Sequence, residues 1–295
     1  MGLEKAYWAD WRAPVRVSDK TDRVYFGHET CARLLPDVET ARVLVATVVD
    51  RGIPATVVTP FLTEDDLDAA RRLVDGVAER CEGLEVVCND WGLLDCLSRD
   101  GGVVPIVGRL LAARQTDPRI ARMFDDTGYT ERPAVHLNGT RCTVRRQRPS
   151  EEMASVLRGC WVDKPSVIAF LQSLGVARCE IDCARQGFEL STVDGWSYSL
   201  NVPEVLVAVA RRCPGDGEDF NSRPECDACA ESEPYGSGQR ASGWRPLDRV
   251  DWHAADSRCS VLRKANAVYY SSADSLPKCA TPPIDRIVMN QPDRG

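Results

Sequence analysis

Short apolar runs alternate with amphipathic stretches over the first third of the chain, and this alternation constrains the fold most strongly. The apolar runs occupy residues 24–27, 55–59, 84–88 and 103–108. Between the runs, apolar residues recur at spacings of three and four, as on one face of a helix. Strands that alternate with helices through short loops form parallel sheets with right-handed crossovers. The sequence therefore predicts an α/β fold, a TIM-like (β/α) barrel in complete, incomplete or distorted form, with a cysteine-rich C-terminal region.

Capping residues and later apolar segments extend this prediction along the chain. Asp37 and Thr63 are predicted N-caps of the first two helices, and Asp163 is the predicted N-cap of a later one. The remaining predicted elements are strands at 176–182 and 187–191, a strand or helix at 203–210, and apolar segments at 267–270 and 284–289.

The same pattern predicts how the chain is organised. Residues 1–22 show no clear period and are predicted to be an N-terminal extension. A barrel-like domain is predicted over residues 23–212, with an irregular insertion at about 112–162. Residues 213–295 are predicted to hold a cysteine loop and C-terminal segments that close the same domain.

Composition excludes several classes of protein. A net charge of −7 argues against a protein that coats nucleic acid, because phosphate binding needs clustered Lys and Arg. No stretch approaches the roughly 18 apolar residues of a membrane span. The first residues also lack the apolar core of a signal peptide, so we expect a cytoplasmic protein. Its thirteen cysteines are then expected to stay reduced, with a subset that binds metal.

Three cysteines late in the chain suggest an inorganic centre. Cys213, Cys226 and Cys229 fall within 17 residues, and the last two form a Cys-x2-Cys pair. The loop between them is rich in Gly, Asp, Asn and Pro and has few apolar residues with which to fold. Thiolates at this spacing suit zinc or the irons of an iron–sulfur cluster. These residues leave zinc, an iron–sulfur cluster and unligated thiols as alternatives.

Polar residues follow the predicted strands, where a β/α barrel builds its site. These residues are His28, Glu29, Asn89, Asp90 and Arg109. The alternative is that each of them only caps a turn. A basic run also lies in the insertion, where it either meets phosphate or forms a solvated surface. The run consists of Arg141, Arg145, Arg146 and Arg148.

Several of these motifs, taken in order, resemble a known family. The motifs are Val24-Tyr25-Phe26-Gly27 with Cys31, Val86-Val87-Cys88-Asn89-Asp90-Trp91-Gly92, Pro105-Ile106-Val107-Gly108-Arg109, Arg178-Cys179-Glu180-Ile181-Asp182, and Arg212-Cys213 with Cys226 and Cys229. In order and cysteine placement they resemble the U32 peptidase family, most closely its UbiV branch. The resemblance covers roughly residues 23–110 and 160–290.

The resemblance implies a cofactor, a reaction and a partner. Members of the better characterised branches of this family are oxygen-independent hydroxylation proteins that carry a 4Fe-4S cluster. Prephenate is linked to their reactions as the oxygen source. By resemblance, the cluster ligands here are Cys31, Cys213, Cys226 and Cys229. The late spacings are shorter than the branch implies, so Cys259 is a rival fourth ligand. A related U32 subunit is the implied protein partner.

These observations leave several functions in competition. The first is a hydroxylase, or one subunit of it, that acts on a small molecule. We predict that Asn89, Asp90, Arg109 and Arg212 bind that substrate, which in the prephenate reading is a diacid. The second is a non-catalytic scaffold subunit stabilised by a cluster or by zinc. An RNA-modifying hydroxylase and a peptidase are further alternatives. For a peptidase, the chain lacks the usual nucleophile and zinc motifs and has only three histidines.

Overall fold

The computed structural model describes residues 2–15, 17–125, 130–135, 140–146, 148–210, 233–234, 261–264, 266–271 and 283–289. Within these ranges the strands are β1 (Glu4–Trp8), β2 (Arg23–Gly27), β3 (Ala55–Thr59), β4 (Glu85–Cys88), β5 (Val104–Val107), β6 (Thr130–Val135), β7 (Arg141–Arg146), β8 (Arg178–Asp182), β9 (Ser197–Val202), β10 (Glu204–Val209), β11 (Glu233–Pro234), β12 (Val261–Lys264), β13 (Ala267–Ser271) and β14 (Ile284–Met289). The helices are α1 (Val38–Val49), α2 (Glu64–Ala78), α3 (Trp91–Asp100), α4 (Arg109–Ala112), α5 (Pro118–Asp125), α6 (Glu151–Arg158) and α7 (Pro165–Ser173).

Eight parallel strands close into a barrel in the order β1-β14-β9-β8-β5-β4-β3-β2. This confirms the predicted TIM-like barrel and shows that it is closed. The barrel is also distorted, because within the described residues no helix separates β1 from β2 or β8 from β9. Helices α1, α2 and α3 follow the β2, β3 and β4 strands in regular alternation. That part of the chain is where the apolar periodicity is clearest.

Two apolar cores lie on the two sides of the barrel wall. The outer core packs the outward side chains of the strands against the helices, with Val57, Val86 and Leu73 among its members. The inner core fills the barrel and includes Tyr25 and Val87. Strand β3 is buried along its whole length because it is covered on both faces.

Ion pairs close the end of the barrel where the strands begin. Arg286 donates from Nη1 and Nη2 to both carboxylate oxygens of Glu85, at 2.6 and 2.9 Å, and from Nε to Glu4. It also donates to the hydroxyl of Tyr25 at 2.9 Å. Arg23 donates to Glu4 at 2.7 Å beside this group. These side chains pair with one another across the barrel interior at this end, and the mouth described below is the end where the strands finish.

A second, antiparallel sheet covers part of this mouth, in the order β10-β13-β12-β11. It packs through Leu206 and Tyr269 against Leu110, which follows β5. On its other side, Val205 and Tyr270 pack against Ala184, which follows β8. Strand β10 is also where the chain leaves toward the cysteine loop, so this sheet connects that loop to the barrel mouth.

Several predicted elements differ from the structure. The segment predicted as an N-terminal extension contributes β1, which pairs with β14 and β2 and so closes the barrel. Residues 187–191 do not form the predicted strand, and the next barrel strand is β9. Polar Ser199 and Asn201 interrupt the apolar pattern of β9, although both are buried. The insertion is partly regular, since it contains α5, the β6–β7 ribbon and α6.

The predicted helix caps are partly confirmed. Asp37 caps α1 by accepting from the backbone N–H of Thr40 at 2.9 Å. Thr63 is the N-cap of α2 by position, without a side-chain hydrogen bond to the backbone there. The prediction for Asp163 was wrong, because Lys164 occupies the N-cap of α7. The Asp163 carboxylate instead accepts from the backbone N–H of Ser191 at 2.8 Å. Among the described helices, none is long and apolar enough to span a membrane.

Candidate functional site

Three charged side chains meet at the mouth of the barrel, each just beyond a different strand. Glu29 follows β2, Arg109 follows β5 and Asp182 ends β8. Arg109 donates from Nε and Nη2 to the two carboxylate oxygens of Glu29, at 2.6 and 2.7 Å. Its Nη1 donates to Asp182 Oδ1 at 2.6 Å. All three side chains are buried, so we call them the mouth triad.

Burial and neighbouring charges shift the pKa values of Arg109 and Asp182 in opposite directions. Burial alone lowers the pKa of Arg109, but the charges of Glu29 and Asp182 outweigh it, so the guanidinium stays protonated. For Asp182, burial raises the pKa above its usual range, and the neighbouring Arg109 offsets this only in part. Two buried carboxyl groups, those of Glu29 and Asp182, are therefore compensated by one cation, Arg109. Removal of that cation leaves them without compensation.

The mouth triad also fixes the second sheet on the barrel. Arg109 Nη1 donates to the backbone carbonyl of Glu204 at 3.0 Å. Asp182 Oδ1 accepts from the backbone N–H of Leu206 at 2.9 Å. Both contacts are with β10, the strand that precedes the cysteine loop. Most of the Arg109 donors are thus already used within the protein, and its role in substrate binding stays a prediction.

Asn89 holds the backbone next to Arg109 in place. Its Oδ1 accepts from the backbone N–H of Leu110 at 3.0 Å, and its Nδ2 donates to the carbonyl of Thr59 at 2.9 Å. It is fully buried, and a Cβ on Gly108 would lie 2.2 Å from its Oδ1. This close approach requires glycine at position 108. Asn89 therefore positions the start of α4, and with it the Arg109 side chain.

Asp90 occupies the cap of α3. Its Oδ1 accepts from the backbone N–H groups of Gly92 at 2.8 Å and Leu93 at 3.2 Å. The cleft described below is not lined by Asp90 or Asn89. Arg212, the fourth predicted substrate-binding residue, lies outside the described residues. A direct contact of these three residues with substrate stays a prediction.

An open cleft of about 280 Å³ lies at the barrel mouth beside the triad. It is lined by Trp8, Ala9, Asp10, Trp11, Arg12, Gly27, His28, Glu29, Leu34, Arg109, Glu204 and Tyr269. His28 and Glu29, both named from the sequence as strand-end polar residues, are among them. Burial, reinforced by the charge of Arg12, lowers the pKa of His28 to about 4, so its imidazole is neutral at physiological pH. The cleft combines aromatic walls with two guanidinium groups.

Cys31 lies at the edge of this mouth, in the loop after β2. The loop is held by His28, whose Nδ1 accepts from the backbone N–H groups of Thr30 at 3.2 Å and Cys31 at 3.0 Å. Cys31 then begins a short 3-10 turn, Ala32–Leu34. Its side chain is partly exposed. The backbone of Cys31 is thus fixed where the loop passes the barrel mouth.

Asn266 joins the Cys31 loop to the chain that leads into the cysteine loop. Its Nδ2 donates to the carbonyl of Thr30 at 2.7 Å and to that of Ala210 at 2.8 Å. Cys213 is three residues beyond Ala210, and three residues of extended chain span at most about 11 Å. The bridge therefore ties the carbonyl of Thr30, next to Cys31, and that of Ala210, three residues before Cys213 in the sequence, to one side chain.

The described residues include one of the proposed metal ligands, Cys31. Among the described residues, the buried oxygens Asn266 Oδ1 and Thr30 Oγ1 have no hydrogen-bond partner. Cys213, Cys226, Cys229 and the rival Cys259 lie outside the described residues. Within the described ranges, no group of three or more metal-ligating side chains occurs. Cys31 is thus the one predicted ligand whose placement the structure gives, and its position suits either an iron–sulfur cluster or zinc.

Other described cysteines belong to the core. Cys88 and Cys179 are fully buried, and burial raises the pKa of both thiols well above the usual range. Burial also raises the pKa of Cys160 to about 11. Thiols that stay protonated at neutral pH are poor metal ligands, since the thiolate is the ligating form. These residues pack as small apolar side chains, as predicted from the sequence.

Three residues of this region were not singled out as functional from the sequence. Asp182 ends a strand and so follows the same positional rule as Glu29. Arg12 lies in a segment that was predicted to be an extension, and only the pairing of β1 places it at the mouth. The importance of Asn266 depends on two contacts that are distant in sequence.

Comparisons with known proteins add little to this geometry. No protein-family model matches the chain, and no curated protein matches it. Among solved structures, it is similar to that of the U32 peptidase Mk0906, with 12% identity and a TM-score of 0.42. The alignment covers 99% of this chain and 93% of that chain. Similarity at this level supports no inference about family, activity or residue roles.

Proposed function

We propose that this protein is an iron–sulfur protein of the U32 type that takes part in oxygen-independent hydroxylation of a small molecule. In this proposal, Cys31, Cys213, Cys226 and Cys229 hold a 4Fe-4S cluster beside the mouth cleft. The observation that carries the proposal is the Asn266 bridge, which joins the Cys31 loop to the residue three positions before Cys213. This contact supports a common location for the early and late cysteines beside the cleft.

A cluster held by these cysteines would supply either electron transfer or a Lewis acid for the substrate. The residues of the chain have separate tasks. In this proposal, the aromatic side chains of the cleft pack against the substrate, and polar groups of its wall orient it. The mouth triad fixes β10, and so fixes the point where the cysteine loop leaves the barrel. Asn89 holds Arg109 in place for that purpose.

The oxygen donor and the protein partner in this proposal come from the family resemblance. Prephenate is the proposed donor, and a related U32 chain is the proposed partner in a hetero-oligomer. The cleft volume of about 280 Å³ is just below the roughly 300–1,000 Å³ of pockets for small organic ligands, so it favours a small molecule over a polymer.

A scaffold subunit is a second candidate, and the mouth triad favours it. Catalytic groups need free donors or acceptors, whereas Glu29, Arg109 and Asp182 pair with one another and with β10. In that case the cluster, or a zinc ion on the same cysteines, stabilises a chain that supports a catalytic partner. A turnover assay with each subunit alone and with both together separates the two candidates.

The Asn266 bridge can be tested without altering any proposed ligand. Asn266→Asp keeps the shape of the side chain but places a carboxylate against the two carbonyl groups. We expect this variant to retain less iron after anaerobic purification than the wild type, with the barrel fold intact by circular dichroism. Cys31→Ala is the positive control. Wild-type iron content in a folded Asn266→Asp variant would count against the proposed location.

A further inference from the structure

Two guanidinium groups line the mouth cleft, and they differ in what they have left to bind. Arg109 is committed to Glu29, Asp182 and the carbonyl of Glu204. Arg12 uses only its Nε, which donates to Asp10 Oδ1 at 3.0 Å. Within the described part of the chain, neither Nη atom of Arg12 has a hydrogen-bond partner. The cleft therefore contains one guanidinium whose outer edge is open.

The position of Arg12 is fixed although its side chain is about half exposed. Asp10 Oδ1 accepts from both the backbone N–H and the Nε of Arg12, each at 3.0 Å. The guanidinium carbon lies 5.9 Å from the centre of the Trp11 ring. Trp11 in turn donates from Nε1 to the carbonyl of Leu34 at 3.1 Å. These contacts hold the Nε side of the guanidinium and leave both Nη groups for a ligand.

His28 supplies a second donor in the same cleft. Its Nδ1 accepts two backbone N–H groups, so in the neutral ring the proton is on Nε2. That Nε2–H belongs to a residue of the cleft wall. Arg12 and His28 both line this cleft. A carboxylate bound between them would accept from the Nη groups of Arg12 and from the Nε2–H of His28.

We propose that Arg12 and His28 form an anion-recognition pair that binds the carboxylate of a small ring compound in the mouth cleft. Arginine suits this role because its two Nη groups match the two oxygens of a carboxylate. Two of the three acids that line the cleft are already paired, Glu29 with Arg109 and Asp10 with the Nε of Arg12, and the third is Glu204. Trp8 and Tyr269, also in the lining, provide flat apolar surface for the ring.

This inference rests on the proposed function only in placing the substrate in the mouth cleft. It gives the substrate a chemical class and assigns its recognition to Arg12 in place of Arg109. Because neither Arg12 nor His28 is a proposed cluster ligand, the binding can be measured whatever metal the protein holds.

The test is calorimetric titration of the full-length protein with benzoate, benzyl alcohol and benzylamine at pH 7. We expect saturable binding of benzoate that is tighter than that of the alcohol or the amine. Arg12→Gln should weaken benzoate binding at least tenfold, and Arg12→Lys should recover part of it. Arg51→Gln is the matched control, because it removes the same charge from an exposed arginine just after α1. It should bind benzoate as the wild type does.

Three outcomes would overturn the inference. These are no saturable benzoate binding to the wild type, equal binding by the Arg12→Gln and Arg51→Gln variants, or a preference for benzylamine. The metal content of each sample, measured separately, keeps this result distinct from the cluster proposal. A chain that binds zinc and still recognises benzoate through Arg12 would retain this inference and lose the cluster.

Discussion

Arg109 and Glu29 form a two-point ion pair across the barrel mouth, with Nε–Oε1 and Nη2–Oε2 distances of 2.6 and 2.7 Å. The residues are 80 positions apart in the chain. The pair therefore depends on closure of the barrel and joins the loop after β2 to the start of α4. Both side chains are buried, so removal of either partner would leave an uncompensated buried charge and destabilise the folded protein.

Arg109→Met should lower the free energy of unfolding by about 3–5 kcal/mol, because Glu29 and Asp182 would remain buried without their cation. Urea unfolding at pH 7 measures the loss. Arg51→Met is the matched control on an exposed arginine and should change stability by less than about 0.5 kcal/mol. Equal stability of the two variants would show that the mouth triad does not hold the barrel mouth together.

Asn89→Ala and Asp90→Ala should both act mainly on stability. Asn89→Ala leaves a buried N–H and a buried carbonyl unpaired, which costs about 2–4 kcal/mol for two such groups. Asp90→Ala removes an N-cap and costs about 1 kcal/mol. Urea unfolding and benzoate binding should be measured on each variant. A variant that is as stable as the wild type but has lost binding would instead support the direct substrate contact predicted from the sequence.

Glu180 should make stability fall as pH rises. It is buried inside the barrel, and burial together with the charge of Glu29 raises its pKa from 4.5 to about 7. Because the native carboxyl group binds its proton more tightly than the unfolded one, the folded state is favoured at low pH. That advantage is lost between about pH 4.5 and 7, and its full size is about 3 kcal/mol.

Glu180→Gln should remove this dependence. The amide can still accept from Asn201 Nδ2, which donates to Glu180 Oε2 at 3.2 Å. We expect the variant to be more stable than the wild type at pH 8, with little difference at pH 4.5, by urea unfolding. Glu152→Gln, on an exposed helix position, is the control for the loss of a negative charge. If both variants show the same pH dependence as the wild type, Glu180 is ionised in the folded protein at neutral pH.

The core cysteines should be dispensable for metal binding. Cys88→Ala and Cys179→Ala should keep the metal content of the wild type and lose only about 1–3 kcal/mol of stability through packing. Cys81, Cys96 and Cys160 should behave in the same way. Loss of metal in any of these folded variants, measured by elemental analysis, would place a ligand in the barrel wall.

Much of the fold could be predicted from local patterns, and the missed parts have a common physical cause. Strands β2 to β5 are runs of apolar residues because both their faces are buried. Strands β1 and β9 were missed because they carry inward polar side chains such as Glu4 and Asn201, which break that pattern. The polar interior is satisfied by pairing across the barrel, and such pairing is not visible in a local stretch of sequence.

The candidate site was likewise predicted in part from the sequence. Position at a strand end was enough to select His28, Glu29 and Arg109, because parallel strands in a barrel finish at one end. The rule could not separate residues that line the cleft from Asn89 and Asp90, whose side chains turn to the backbone. Arg12 and Asn266 depend on which distant segments meet, and that is decided only when the barrel closes.

Iron and acid-labile sulfide content after anaerobic purification tests the central claim most directly. We predict about four irons and four sulfides per chain, with visible absorbance near 400 nm, as for one cysteine-bound cubane. Cys31→Ala, Cys213→Ala, Cys226→Ala and Cys229→Ala should each lose this content. If Cys259→Ala loses it while Cys31→Ala keeps it, the fourth ligand is Cys259. Stoichiometric zinc without sulfide in the wild type would contradict the iron–sulfur account.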